Sequence, residues 1–202
     1  MRCGGGLGPM TLVAFSAVDR SALRWLKTSD RPIGFTLSSG EAEVATLRWK
    51  EHPGSLAVAE TGTGAWTLKR GGFLNPIVTV RPSSGGADLA RLTVHLNYHR
   101  VELAGGRAYR FHRAGLLVPA WTVSTDEGRE LVHIEPVREG RRLEAGAVVI
   151  SPGSVDLPEL LLLVVLGWYF IVLAWFEDEA LTPLAGPDVS PPAGSRPGTS
   201  AR

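Results

Sequence analysis

Five histidines, one cysteine and twenty acidic residues are the material from which this chain of 202 residues could build a reactive centre. His95 and His99 stand four apart, a spacing that sets two metal ligands on one helical face. Their surroundings read as a strand ending in a turn, and no Glu follows the first as a zinc-protease helix requires. His112 and His133 fall in extended segments and read as outward or hydrogen-bonded wall residues. Ser124, Asp126 and His133 supply the residue types of a nucleophile, an acid and a base, without the elbow that would present the serine. Thr61-Gly-Thr-Gly64 and Gly71-Gly72 are glycine pairs in hairpin turns; they lack the helix and the Lys-Ser/Thr of a phosphate loop. The lone Cys3 excludes an internal disulfide and a cysteine zinc site, which favours a reducing compartment, the cytoplasm. No catalytic residue, metal site or cofactor is expected from these spacings.

Charge excludes one class of partner. A formal net charge of +1 and a pI near 8.0 give no long-range field that would steer the chain onto nucleic acid. Eighteen arginines accompany three lysines, and eight of the arginines lie between Arg100 and Arg142. Such a stretch can form a phosphate-binding face, although a compositional bias toward Arg, Gly, Ala and Pro is the favoured account of it.

These residues must be positioned by short extended segments. Alternating or β-branched stretches occur at Gly34–Leu37, Glu43–Lys50, Leu56–Glu60, Ala65–Arg70, Pro76–Arg81, Leu89–Leu96, Arg100–Leu103, Arg107–His112, Ala120–Ser124, Glu130–Val137 and Arg142–Ile150. Turn residues such as Ser38-Ser-Gly40, Ala104-Gly-Gly106 and Glu139-Gly140 separate most of them, as in an antiparallel sandwich or barrel. Leu92, Val94 and Leu96 point one way and Arg91, Thr93 and His95 the other, so the sheet has one dry face and one wet face. Only Val18–Lys27, with Val18, Ala22, Leu23 and Leu26 on one side, has helical spacing before the strands. Residues 1–17 read as an N-terminal extension without a secretory cleavage site, with Met10 as an alternative start. Residues 179–202 read as a disordered Pro/Gly/Ser-rich tail.

From Leu160 to Phe176 the chain is uncharged and apolar on every helical face, between Asp156/Glu159 and Glu177-Asp178-Glu179. A helix of that kind belongs inside a protein core or a bilayer. Eleven or twelve strands close a barrel wider than its own side chains can fill, since about eight strands is where the interior is just filled. A helix at about 157–176, threaded through the lumen, satisfies both requirements. The fold expected is a closed antiparallel β-barrel of about 11–12 strands around a C-terminal hydrophobic helix, within a domain at 18–178. Mid-run Trp168 and the acids at both ends favour the core over a bilayer.

The order of elements, with Val44-Ala-Thr-Leu-Arg-Trp49, Ser55-Leu-Ala-Val-Ala-Glu60, Trp66-Thr-Leu-Lys-Arg70 followed by Gly72-Phe73, Gly106-Arg-Ala-Tyr109, Gly128-Arg-Glu-Leu131 and Leu157-Pro-Glu-Leu160 leading into Leu166-Gly-Trp168, resembles bacterial members of the tubby C-terminal-like superfamily, the group of the tubby domain, the phospholipid scramblases and the LURP-one-related proteins. The resemblance spans about Leu23 to Phe176. It implies a twelve-stranded barrel around the terminal helix, and functions that include phosphoinositide binding and calcium-linked lipid scrambling. Glu177-Asp178-Glu179 follows the helix and lacks alternating oxygen ligands, so the scramblase calcium site does not transfer. Arg107, Arg110 and Arg113 are candidates, on charge, for contact with an anion or a lipid head group; even spacing sets Arg107 and Arg113 on one face and Arg110 on the other. The function expected is non-enzymatic binding of a lipid head group, an acyl chain or a protein partner by a cytoplasmic barrel, with peripheral membrane contact. The alternative is a membrane-anchored or scramblase-like protein in which 160–176 spans the bilayer.

Overall fold

The computed structural model describes residues 11–51, 54–72, 76–95, 98–114 and 120–181, the last four as backbone alone. Cys3, the alternative start at Met10, Phe73, Leu96 and the tail beyond Leu181 lie outside the described residues.

Strands β1 (Leu23–Asp30), β2 (Ile33–Ser39), β3 (Ala42–Trp49), β4 (Leu56–Thr61), β5 (Gly64–Gly71), β6 (Ile77–Pro82), β7 (Ala90–Val94), β8 (His99–Leu103), β9 (Ala108–Ala114), β10 (Ala120–Thr125), β11 (Glu130–Glu139) and β12 (Arg142–Ile150) precede one helix, α1 (Leu160–Leu181). Each strand pairs antiparallel with the one before it, and β1 closes the barrel against β12 with Leu23 opposite Val148 and Leu26 opposite Ala145. Closure leaves no sheet edge unpaired. The turns follow local chemistry: Gly40 and Gly140, at φ +58° and +60°, take left-handed positions that a side chain would resist. Pro136, which has no N–H to give a ladder, stands beside the register shift between Val137 and Arg138.

The barrel has twelve strands because the segment with helical spacing is a strand. Within Val18–Lys27 the chain makes a 3-10 turn at Arg20–Ala22, where Asp19 accepts a hydrogen bond from the Ser21 N–H at 2.9 Å, and then enters β1. Leu23 and Trp25 are buried and Arg24 and Leu26 are exposed, a two-residue period. The helical stripe gave way because β2 and β12 both need a partner for their main-chain groups, and only an extended segment supplies one.

Helix α1 runs through the lumen. Its stretch Leu160–Glu177 is 72% buried, and the buried residues face every direction around the axis. Successive helical residues point about 100° apart, and three in a row meet different parts of the wall. Trp168 stacks on Trp25 of β1 at 5.7 Å and meets Phe35 of β2 edge-on at 5.3 Å. Tyr169 stacks on Trp49 of β3 at 5.5 Å, and Phe170 meets Phe111 of β9 and Trp121 of β10 at 5.6 and 5.7 Å. The close approach is set by glycine: a Cβ on Gly146 of β12 would fall 2.3 Å from the Trp168 ring, and one on Gly167 would fall 3.0 Å from Ile134. The helix begins at Leu160 and continues to Leu181, five residues past the expected end at Phe176. Trp175 donates from Nε1 to the Arg141 carbonyl at 2.8 Å, and Glu177 pairs with Arg70, so the far end is tied to the β11–β12 turn and to β5.

Candidate functional site

At the barrel end where α1 begins, the chain before β1 folds across the opening. Val13 donates its N–H to the Glu43 carbonyl at 2.8 Å, and Ala14 lies against Gly62 so closely that a Cβ there would stand 3.0 Å from the Ala14 nitrogen. Between this strap, the β4–β5 turn and the first turn of α1 lies a cavity of about 450 Å³. Its apolar walls are Phe15, Trp66, Leu161 and Leu162, and its polar lining includes Arg20, Thr63, Asp156 and Glu159. That volume falls within the few hundred to a thousand Å³ typical of small-molecule pockets.

Glu159 immediately precedes α1, and its side chain is only 8% exposed. A carboxylate at that position complements the partial positive charge of a helix N-terminus. Arg107 donates to Glu159 Oε1 at 2.7 Å, and the Tyr109 hydroxyl donates to the same oxygen. A buried charge persists when it is both paired and hydrogen-bonded, as this one is. Burial, and then the neighbouring Glu159, push the Tyr109 hydroxyl up to about 12, while Tyr109 and Glu159 beside Arg107 hold its guanidinium above the ordinary range. Arg20 directs Nε to the Phe15 carbonyl at 3.3 Å and Nη1 to the Val155 carbonyl, and its guanidinium lies 5.0 Å over the Phe15 ring. Arg20 therefore ties the strap to the segment that leads into α1.

The three candidate arginines are apart. Arg107 is at this mouth, on the buried glutamate. Arg110 points outward from β9, where it pairs with Asp126 at 3.2 Å and lies 5.4 Å over the Tyr98 ring. Arg113 is exposed toward the opposite end of β9, across from Trp121. Arg107 stands just before β9, and Arg110 and Arg113 are both exposed on it, so the alternation expected to group Arg107 with Arg113 does not sort them; the Glu159 partner of Arg107 carries no sequence signal, because 52 residues separate them. The Ser124, Asp126 and His133 set is not assembled as a relay: His133 meets Thr122 and Glu135, both at 3.2 Å, and Asp126 meets Arg110 and Arg100. Among the described residues no three His, Cys, Asp or Glu side chains converge on a point that could hold a metal ion.

Toward the opposite end His99 packs on Phe170 at 4.4 Å, with Nδ1 buried and without a partner among the described residues. Burial, with His95 adding to it, pushes its pKa down to about 4.

The residues that make the mouth cavity were missed in the sequence. Phe15 and Arg20 lie in a segment without a motif, Trp66 reads as a wall residue, and Glu159 reads as a helix-start acid. No protein-family model, curated protein or solved structure matches the chain.

Proposed function

We propose that this chain is a non-catalytic binding barrel of the tubby-like kind, acting in the cytoplasm, whose ligand is the apolar part of a lipid or a similar amphiphile seated in the mouth cavity. One observation carries this reading. The lumen, where a wide barrel would otherwise hold a ligand, is filled by α1, while an apolar cavity lined by Phe15, Trp66, Leu161 and Leu162 remains at the mouth. The expected strand-and-helix order of the tubby-like superfamily supports the same reading, since functions of that group include lipid binding. Titration of the full chain with an environment-sensitive alkyl dye tests it: the expected result is a saturable blue shift at one dye per chain, and an unshifted spectrum at saturating dye overturns it.

A second reading rests on the length and composition of Leu160–Glu177, which suffice to cross a bilayer. It requires α1 to leave the barrel and expose the faces of Trp25, Phe35 and Trp49. Carbonate extraction of membranes from expressing cells separates the two: a threaded helix leaves with the soluble fraction, and a spanning one stays in the pellet.

A further inference from the structure

Among the described residues, Glu159 is held through one oxygen. Arg107 and Tyr109 both donate to Oε1, and Oε2 meets no donor among the described residues, although the side chain is nine-tenths buried and lines the mouth cavity. Water in the open cavity can solvate Oε2. A ligand that fills the cavity displaces that water and seals a charged acceptor beneath an apolar body, which is costly unless the ligand itself supplies a donor. A second carboxylate, Asp156, lies in the same lining, so an anionic ligand end meets two acids there. The cation of the lining, Arg20, is already directed to the main-chain carbonyls of Phe15 and Val155.

Resting on the mouth-cavity reading, we infer that the ligand is an amphiphile whose polar end donates a hydrogen bond, a hydroxyl or an ammonium, to Glu159 Oε2. A bare carboxylate or an ether end of the same chain length is disfavoured. The selectivity arises from contact at one oxygen, so it separates neutral ligands that differ only in having a donor.

Calorimetric titration of the full chain with 1-octanol, octylammonium, octanoate and methyl heptyl ether tests this. The alcohol and the ammonium should bind about tenfold or more tighter than the ether and the carboxylate, the scale set by leaving one buried acceptor unpaired. Leu162→Trp, which fills the cavity from a half-buried position on α1, should abolish binding of all four while the far-ultraviolet circular dichroism stays that of the barrel. Asp156→Asn, at an exposed position, should lessen the rejection of octanoate and leave the alcohol-to-ether ratio unchanged. If none of the four binds, the mouth-cavity reading itself fails. If all four bind within a factor of two of one another and Leu162→Trp removes them together, the cavity is a binding site and the donor requirement is overturned. Binding that survives Leu162→Trp also overturns the inference, since the ligand is then seated elsewhere.

Discussion

Replacing Gly146 with alanine sets a methyl group into the six-membered ring of Trp168. The added Cβ would stand 2.3 Å from Cζ3, 2.6 Å from Cη2 and 3.2 Å from Cε3, all inside ordinary contact. The indole has nowhere to go, because it is stacked on Trp25 at 5.7 Å and meets Phe35 at 5.3 Å, and all three rings are fully buried. Overpacking of a well-filled core costs about 1–3 kcal/mol, and rigid neighbours on two sides place this site at the upper end. Gly146 has no left-handed backbone to protect, so alanine returns about 0.5–1 kcal/mol by restricting the unfolded strand. The net expectation is a loss of about 2 kcal/mol, or a fall in Tm of about 4–8 °C for a chain of this size. Urea denaturation followed by circular dichroism measures it. In a Trp168→Phe background the ring that clashes is smaller, so the same alanine should cost at least about 1 kcal/mol less, a coupling that a double-mutant cycle isolates. A Gly146→Ala barrel as stable as the parent, or the same loss with and without the indole, refutes the packing of α1 against β12. A helix lying in a bilayer would leave Gly146 insensitive, so the measurement bears on the functional alternative as well.

Three further outcomes follow from the same structure. Tyr109→Phe removes a donor to the buried Glu159 carboxylate and should cost about 1.5–3 kcal/mol in urea, whereas an unchanged midpoint refutes that hydrogen bond. The unfolded chain protonates His99 near its ordinary 6.5, while the folded chain resists protonation until about 4, so the unfolded state holds more protons between those values. Stability should therefore fall as pH drops from about 6.5 toward about 4, and His99→Leu should remove that part of the slope; identical slopes in the two proteins refute it. A chain ending at Val155 leaves the lumen lined by exposed Trp25, Phe35, Trp49 and Phe111, and should be recovered as aggregate, whereas a soluble β-rich monomer refutes the helix as the filler of the barrel.

The wall and the filler could be read in advance because both are local patterns. Leu92 and Val94 alternate with Arg91 and Thr93 as a half-buried strand must, and the uniformly apolar Leu160–Phe176 can only be enclosed. The apolar residues of Val18–Lys27 fit two periods at once, and the demand for a strand at that place comes from closure against β12, far away in the chain. The mouth cavity was hidden for a related reason: Phe15, Thr63, Trp66, Glu159 and Leu162 are unremarkable one by one and meet only when the barrel closes.

The sequence by itself determined that this chain has alternating strands, turns between them and one helix that cannot face water, because side-chain period and hydrophobicity act over a few residues. Tertiary structure alone decided that β1 exists, that Gly146 faces Trp168, and that Arg107 and Tyr109 share one oxygen of Glu159. Those contacts join residues from 22 to 143 positions apart, such as Trp25 with Trp168 and Gly146 with Trp168. Closure of the barrel around its own helix brings them together, and no local rule of spacing encodes that event.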